Sequence, residues 1–263
     1  IAYLGKLNVV SGLSLSLFCC NVINTGTLSA PEGNITITAV EQGNLLRLGQ
    51  PNTILSLEVS QAAQNDLTST SLSELLTGSD LPEVDMLQVN ADGTVSLLST
   101  VLPDGTGNAI VSGQASTAGD RAGEINIFAT QQVALLDADL SAYGTNGGGT
   151  LRIGGDYQGR ATAPTVQRTF IDSLTSITAD ALTQGNGGQV FVWSDTDTRF
   201  YGHISTQGGR LSGDGGFIEL SSKDSLAYGG TVNQEAPQGS PGTLLFDPSY
   251  IIVRNGTDGS TPP

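Results

Sequence analysis

Histidine, cysteine and basic side chains are scarce in this 263-residue chain: one His, two Cys, and ten Lys plus Arg against 25 Asp plus Glu. The net charge of −15 repels phosphate backbones and anionic membrane surfaces, so nucleic acid is excluded as a partner. A single histidine, His203, excludes any metal centre or proton relay that needs two. No Gly-x-Ser-x-Gly elbow, phosphate loop or zinc-ligand spacing occurs. No apolar run approaches the roughly 20 residues that cross a bilayer, so no membrane span is expected. Charged residues make up only 13% and aromatics 5%, which leaves few groups for converging acid–base chemistry.

What the chain has in abundance is glycine, 35 residues, and the glycines are ordered. Six times a glycine opens a short alternating strand: Gly33-Asn-Ile-Thr-Ile37, Gly123-Glu-Ile-Asn-Ile127, Gly149-Thr-Leu-Arg-Ile153, Gly188-Gln-Val-Phe-Val192, Gly216-Phe-Ile-Glu-Leu220 and Gly242-Thr-Leu-Leu-Phe246. From Gly123 onward the anchors are 26, 39, 28 and 26 residues apart, a period with one insertion. A second fragment precedes most of them, as Leu28-Ser-Ala30, Leu140-Ser-Ala142, Ile177-Thr-Ala179, Ile204-Ser-Thr206 and, more loosely, Val232-Asn-Gln234. Between the two lie Gly/Asn/Asp-rich loops, residues that accept positive φ cheaply. Each unit reads as strand, sharp turn, strand.

One such unit cannot bury its own apolar face, whereas units stacked in parallel at about 4.8 Å turn their edges into continuous ladders around a shared core. The fold expected is all-β, a parallel β-helix forming one domain over residues 1–263. At roughly 25 residues per coil it would hold about ten coils, a rod on the order of 50 Å long. Leu13 to Cys20 superficially resembles the apolar centre of a signal peptide, but its Leu-Ser-Leu-Ser-Leu alternation predicts a strand. Ile1 and Pro263 read as the limits of a piece of something longer.

The 90 residues between Gly33 and Gly123 break the period. Approximately residues 51–107 are predicted to form an extrusion from the stack. Within it Ser71-Leu-Ser-Glu74 starts a short helix that Gly78 stops. Leu87–Val89 and Thr94–Leu97 flank Asp92-Gly93 as a hairpin. Between Leu48 and Asp120 there is no Lys or Arg but nine acids: Glu58, Asp66, Glu74, Asp80, Glu83, Asp85, Asp92, Asp104 and Asp120. That patch reads as a solvated face, with a basic partner or divalent cations as the competing interpretation.

Candidate chemistry is sparse. Asp195, Asp197, Arg199 and His203 form the densest titratable cluster, after the strand that ends at Trp193. In an extended segment the first three alternate to one side as paired, solvated charges, so no catalytic, cofactor-binding or metal site is assigned. Asp214, within Gly213-Asp-Gly-Gly216, lacks the nonapeptide period of calcium-binding repeats. Cys19 and Cys20 are expected to point to opposite faces of a strand as two unpaired thiols, with an intermolecular bridge or a redox pair as alternatives. Adjacent Cα atoms, about 3.8 Å apart, lie below the usual disulfide range, so a bridge between the two would be strained. Asn34-Ile-Thr36 and Asn255-Gly-Thr257 match the glycosylation triplet and read as unmodified.

Gly144 to Gly159, Ala179 to Trp193, Thr198-Arg-Phe-Tyr-Gly202 and Gly242-Thr-Leu-Leu-Phe-Asp-Pro248 together resemble filamentous-haemagglutinin-like large exoproteins, the cyanobacterial members in particular. The resemblance covers about residues 20–256 and is strongest after Gly119. It implies a right-handed parallel β-helix exported by two-partner secretion through an outer-membrane pore and folding outside, often serving adhesion or surface architecture. The Asn-Pro-Asn type motifs of the amino-terminal secretion domain are absent, so this piece is expected to lie downstream of that domain. The function expected is a secreted or cell-surface structural or adhesive exoprotein without cofactors. It would meet the secretion pore during export, meet an unidentified surface or glycan ligand, and join end to end with its own copies into a filament. The alternative is a β-helix carbohydrate-active enzyme, a polysaccharide lyase or hydrolase.

Overall fold

Apolar residues at every second position, cut short by Gly, Asn and Asp, give strands of two to six residues with sharp corners between them. The computed structural model describes residues 1–41, 105–160 and 164–249 in full, and only the backbone of four further strands, Leu45–Gly49, Ser56–Ser60, Met86–Val89 and Val95–Leu98. Three parallel sheets of seven strands each dominate. Each coil passes through the first, second and third sheet in turn and then rises one rung. This is a right-handed parallel β-helix, the hand that strand twist favours for parallel crossovers.

Seven coils are stacked. Coil 1 is Ala2–Tyr3, Lys6–Asn8 and Ser14–Cys19. Coil 2 is Asn21–Asn24, Thr27–Ser29 and Asn34–Ala39. Coil 3 is Asn108–Val111, Gln114–Ser116 and Glu124–Ala129. Coil 4 is Gln132–Leu135, Asp139–Ser141 and Thr150–Ile153. Coil 5 is Arg168–Ile171, Ser176–Thr178 and Gln189–Val192. Coil 6 is Asp197–Phe200, His203–Ser205 and Phe217–Ser222. Coil 7 is Ser225–Tyr228, Thr231–Asn233 and Thr243–Pro248. Among the described residues there are seven rungs where ten were expected, and the strands described between coils 2 and 3 lie outside the three sheets; the described column is about 30 Å long.

Every coil also has one strand more than the expected strand–turn–strand unit. The glycine-led strands form the third sheet and the Leu-Ser-Ala fragments the second, while the first sheet carries no glycine signature. Ser14–Cys19 pairs with Asn34–Ala39, so the apolar amino-terminal segment is a core strand as expected.

The core is a set of stacked rows. One row of the third sheet runs Leu15, Ile35, Ile125, Leu151, Val190 and Ile218, all nearly or fully buried. Leu28, Ala115, Leu140, Ile177 and Ile204 do the same from the second sheet. Fully burying a side chain of this size contributes about 1.5–3 kcal/mol, and the rows repeat that gain coil after coil.

The anchoring glycines answer to close approach. A Cβ on Gly188 would stand 2.0 Å from the carbonyl oxygen of Gly149, and one on Gly216 would stand 2.1 Å from that of Gly188. Positive φ falls, as expected, on loop glycines such as Gly147, Gly185 and Gly213.

Between coils 2 and 3 the described backbone forms two antiparallel hairpins outside the three sheets. Leu45–Gly49 pairs with Ser56–Ser60, and Met86–Val89 pairs with Val95–Leu98. The second is the hairpin expected around Asp92-Gly93; the helix expected over 71–78 lies outside the described residues. The acids from Glu58 to Asp104 likewise have no described side chains.

Candidate functional surfaces

The charged cluster that the sequence places after Trp193 is dispersed over two sheets and a corner. Asp195 sits in the bend between the third and first sheets. Its Oδ1 lies 2.6 Å from Lys223 Nζ and accepts from Trp193 Nε1 at 3.3 Å, and its Oδ2 accepts from Thr165 Oγ1 at 2.8 Å. Burial alone would raise its pKa, but Lys223, Thr165 and Trp193 together hold it below the ordinary carboxylate value. Asp195 therefore stays ionised and tied down, which suits a corner brace and not a general acid.

Asp197 and Arg199 lie on the outer face of the first sheet, where Arg199 Nε meets Asp197 Oδ2 at 2.7 Å and Ser225 Oγ donates to Asp197 Oδ1 at 2.6 Å. This is the solvated pairing expected of them. His203 is on the second sheet, exposed, its Nδ1 2.9 Å from Thr231 Oγ1 in the next coil. Asp214 belongs to a loop spine: its backbone N–H donates to Asn186 Oδ1 at 2.9 Å, and its own Oδ1 accepts from Ser240 N at 2.8 Å. Asp120 accepts from Asn146 Nδ2 in the same loop column. These carboxylates satisfy backbone and amide donors at the corners. Asn34 donates to Ser14 Oγ at 3.4 Å on the outer face of its strand. Among the described residues no group of three or more His, Cys, Asp or Glu could hold a metal ion.

Around Asp197 and Arg199 the first sheet carries a shallow open groove of about 660 Å³, lined by Gln132, Arg168, Phe170, Thr196 and Asp224 among others. Phe170 and Tyr201 meet edge to face there with centroids 6.2 Å apart. The groove alternates guanidinium, carboxylate, amide and aromatic groups along the stack.

The third sheet offers the opposite kind of surface, which the sequence reading missed. The extra residues between Gly149 and Gly188 fold back as a strap, Gly154–Arg160, over its outer face. Tyr157 packs edge-on against Phe191 and Phe217, at centroid distances of 6.0 and 5.9 Å. Gly155 and Gly159 lie flat on the indole of Trp193, where a Cβ would come within 2.7 and 2.6 Å of the ring. Under the strap Glu219 is only 1% exposed, and both its carboxylate oxygens accept from Gln158 N at 3.2 Å. Ser221 Oγ donates to Oε1 at 2.8 Å. Burial pushes the Glu219 carboxyl above its ordinary pKa; the Ser221 and Gln158 hydrogen bonds oppose that, and Asp247 and Asp156 add to it. Arg152 is one coil pair away, held by Glu124 at 2.8 Å and by Asp156 at 3.1 Å.

The cysteines also depart from expectation. The strand ends at Cys19 and the chain bends at Cys20, so the sulfurs do not point to opposite faces: they stand 3.8 Å apart, both half-buried.

No protein-family model and no curated protein matches the chain. Among solved structures, it is similar to the HMW1 secretion domain from Haemophilus influenzae, at 20% identity and a TM-score of 0.52. The match covers 89% of this chain and 48% of that one, so the chain spans about half the length of that structure. At this identity the likeness bears on the fold, a β-helix. Among the described residues no helix is long and apolar enough to cross a membrane.

Proposed function

We propose that this chain is a segment of a secreted or cell-surface exoprotein of the filamentous-haemagglutinin-like type, whose working part is the outer surface of the column. The observation that carries this reading is the ladder itself: seven coils template one another edge to edge. A stack that grows one coil at a time can fold vectorially as it leaves a pore, and needs no prefolded core. Likeness to a secretion domain supports passage through an outer-membrane transporter. We take residues 1–263 as one solenoid domain, with approximately 51–107 extruded from it.

Its charged groups favour adhesion or architecture over catalysis: Asp197 is neutralised by Arg199, Asp195 by Lys223, and Glu219, the one buried acid among the described residues, is roofed by the strap. Protease shaving of intact cells is expected to release peptides of this chain; recovery from the cytosol alone overturns the proposal. The enzymatic alternative rests on the first-sheet groove. Incubation with pectic and other acidic glycans is expected to leave them intact, and new reducing ends or unsaturated products would favour the enzyme.

Self-association follows from the edges. Among the described residues the strands of coil 1 and coil 7 are paired on one side only. Leu7 and Leu13 are exposed at one end, and Leu244 and Phe246 are only partly buried at the other. End-to-end addition of copies would bury both ends, and a mass that rises with concentration in sizing experiments is the expected sign; a strict monomer ends that idea.

A further inference from the structure

The adjacent cysteines sit at the neck through which the chain leaves the stack after coil 2 and rejoins it at coil 3. The Cys19 carbonyl accepts from Val40 N at 3.0 Å, on the outgoing side. The Cys20 carbonyl accepts from Gly107 N at 2.5 Å, on the incoming side. Asn21 completes the clasp: its Nδ2 donates to Gly105 O at 3.0 Å and its Oδ1 accepts from Asn108 N at 2.9 Å. The successive carbonyls of Cys19 and Cys20 thus hold both sides of the neck, and the two thiols are in van der Waals contact at 3.8 Å, half-exposed.

We propose that Cys19 and Cys20 are a redox-active vicinal dithiol that closes to a ring in an oxidising compartment and stiffens the neck. The oxidant is a low-molecular-weight disulfide of the glutathione class. One thiolate attacks a sulfur of RSSR, forming Cys–S–S–R and expelling RS⁻. The neighbouring thiolate then attacks the protein-side sulfur and expels the second RS⁻. Two electrons pass from the cysteine pair to RSSR, and the two thiol protons end on two RSH. Because contiguous Cα atoms lie closer than disulfides prefer, the ring is strained and easily reduced, the property of a reversible couple and not of a structural staple. The ladder hydrogen bonds at Cys19 use backbone atoms and leave both sulfurs available, so closure asks only that the Cys19 side chain shift where it packs against the core.

The test equilibrates the whole chain in glutathione buffers of graded redox ratio, then blocks free thiols and measures intact mass. The expected product is a monomer lighter by two hydrogens and closed to alkylation at both positions. It should reopen in buffers far less reducing than those that open unstrained disulfides. Cys20→Ser is expected to stop at the mixed disulfide. Amide exchange at Val40 and Gly107 is expected to slow by roughly tenfold on oxidation of the wild type and to be unchanged by the same buffers in Cys19→Ser/Cys20→Ser. A wild type that accumulates the mixed disulfide, forms covalent dimers, remains reduced, or oxidises with no change at the neck overturns the proposal.

Discussion

The third and first sheets share the same seven coils and the same parallel ladder, yet their outer faces have opposite characters. The third is entered through stacked glycines, roofed by the strap and hides a carboxylate. The first is entered through polar side chains, Asn21, Asn108, Gln132, Arg168, Asp197 and Ser225 in register, and stands open. Regularity of a ladder therefore does not decide what its outer face does. That is set by whether the chain between rungs returns to cover it.

Substitution at the two points of entry should break this comparison most sharply. Gly188→Val drives a branched side chain into the Gly149 carbonyl and should cost about 3 kcal/mol or more, read as a shift in the urea midpoint. Gln132→Val, at a first-sheet entry, should stay within about 1 kcal/mol; equal losses would mean that glycine stacking is not what distinguishes the sheets.

Removal of the roof comes next. Tyr157→Ala deletes two edge-to-face contacts and should destabilise the fold by about 1–2 kcal/mol, with faster proteolysis of the strap. Phe170→Ala, on the open sheet, should cost under about 1 kcal/mol, because its partner Tyr201 stays solvated.

The hidden carboxyl gives a pH signature of stated sign. Glu219 has its folded pKa raised, so its protonated form favours the fold. That stability is complete below the ordinary carboxylate value and is lost as pH rises through the folded value. Glu219→Gln should stabilise the protein at pH 7 by on the order of 1 kcal/mol and remove this slope, while below the ordinary carboxylate range the two proteins should converge. A variant no more stable at pH 7 would show that Gln158 and Ser221 compensate the charge fully. The smallest effect belongs to the open face: Arg199→Ala should change stability by under about 0.5 kcal/mol, since its pair with Asp197 is solvated.

Legibility in the sequence followed the same division. A Cβ-free position is a local and absolute steric demand, so Gly123, Gly149, Gly188 and Gly216 announce the third sheet directly. Its companion, the second sheet, announces itself through a small residue after Leu-Ser or Ile-Thr. No comparable demand acts on the first sheet, where the inward row runs Val22, Ala109, Val133, Thr169, Thr198 and Leu226 and reads as unrelated residues.

The cluster around Asp195 looked denser in sequence than in space, because two corners separate residues only eight positions apart. Glu219 was invisible for the converse reason. Alternation alone makes it an outward, solvated residue, and only the spacing of 39 residues where 26 is usual, an excess of 13, hinted that something lies over it. The paired sulfurs were missed because a strand was extended one residue past its end.

Coils 2 and 3 pair as fully as any neighbours, Asn34 to Ala39 against Glu124 to Ala129, although the Gly33 and Gly123 anchors are 90 residues apart. The column is indifferent to how much chain is looped out between one rung and the next. Such a seam is a natural port for exchange, where cargo of another length or chemistry could be grafted while the shaft that presents it stays the same.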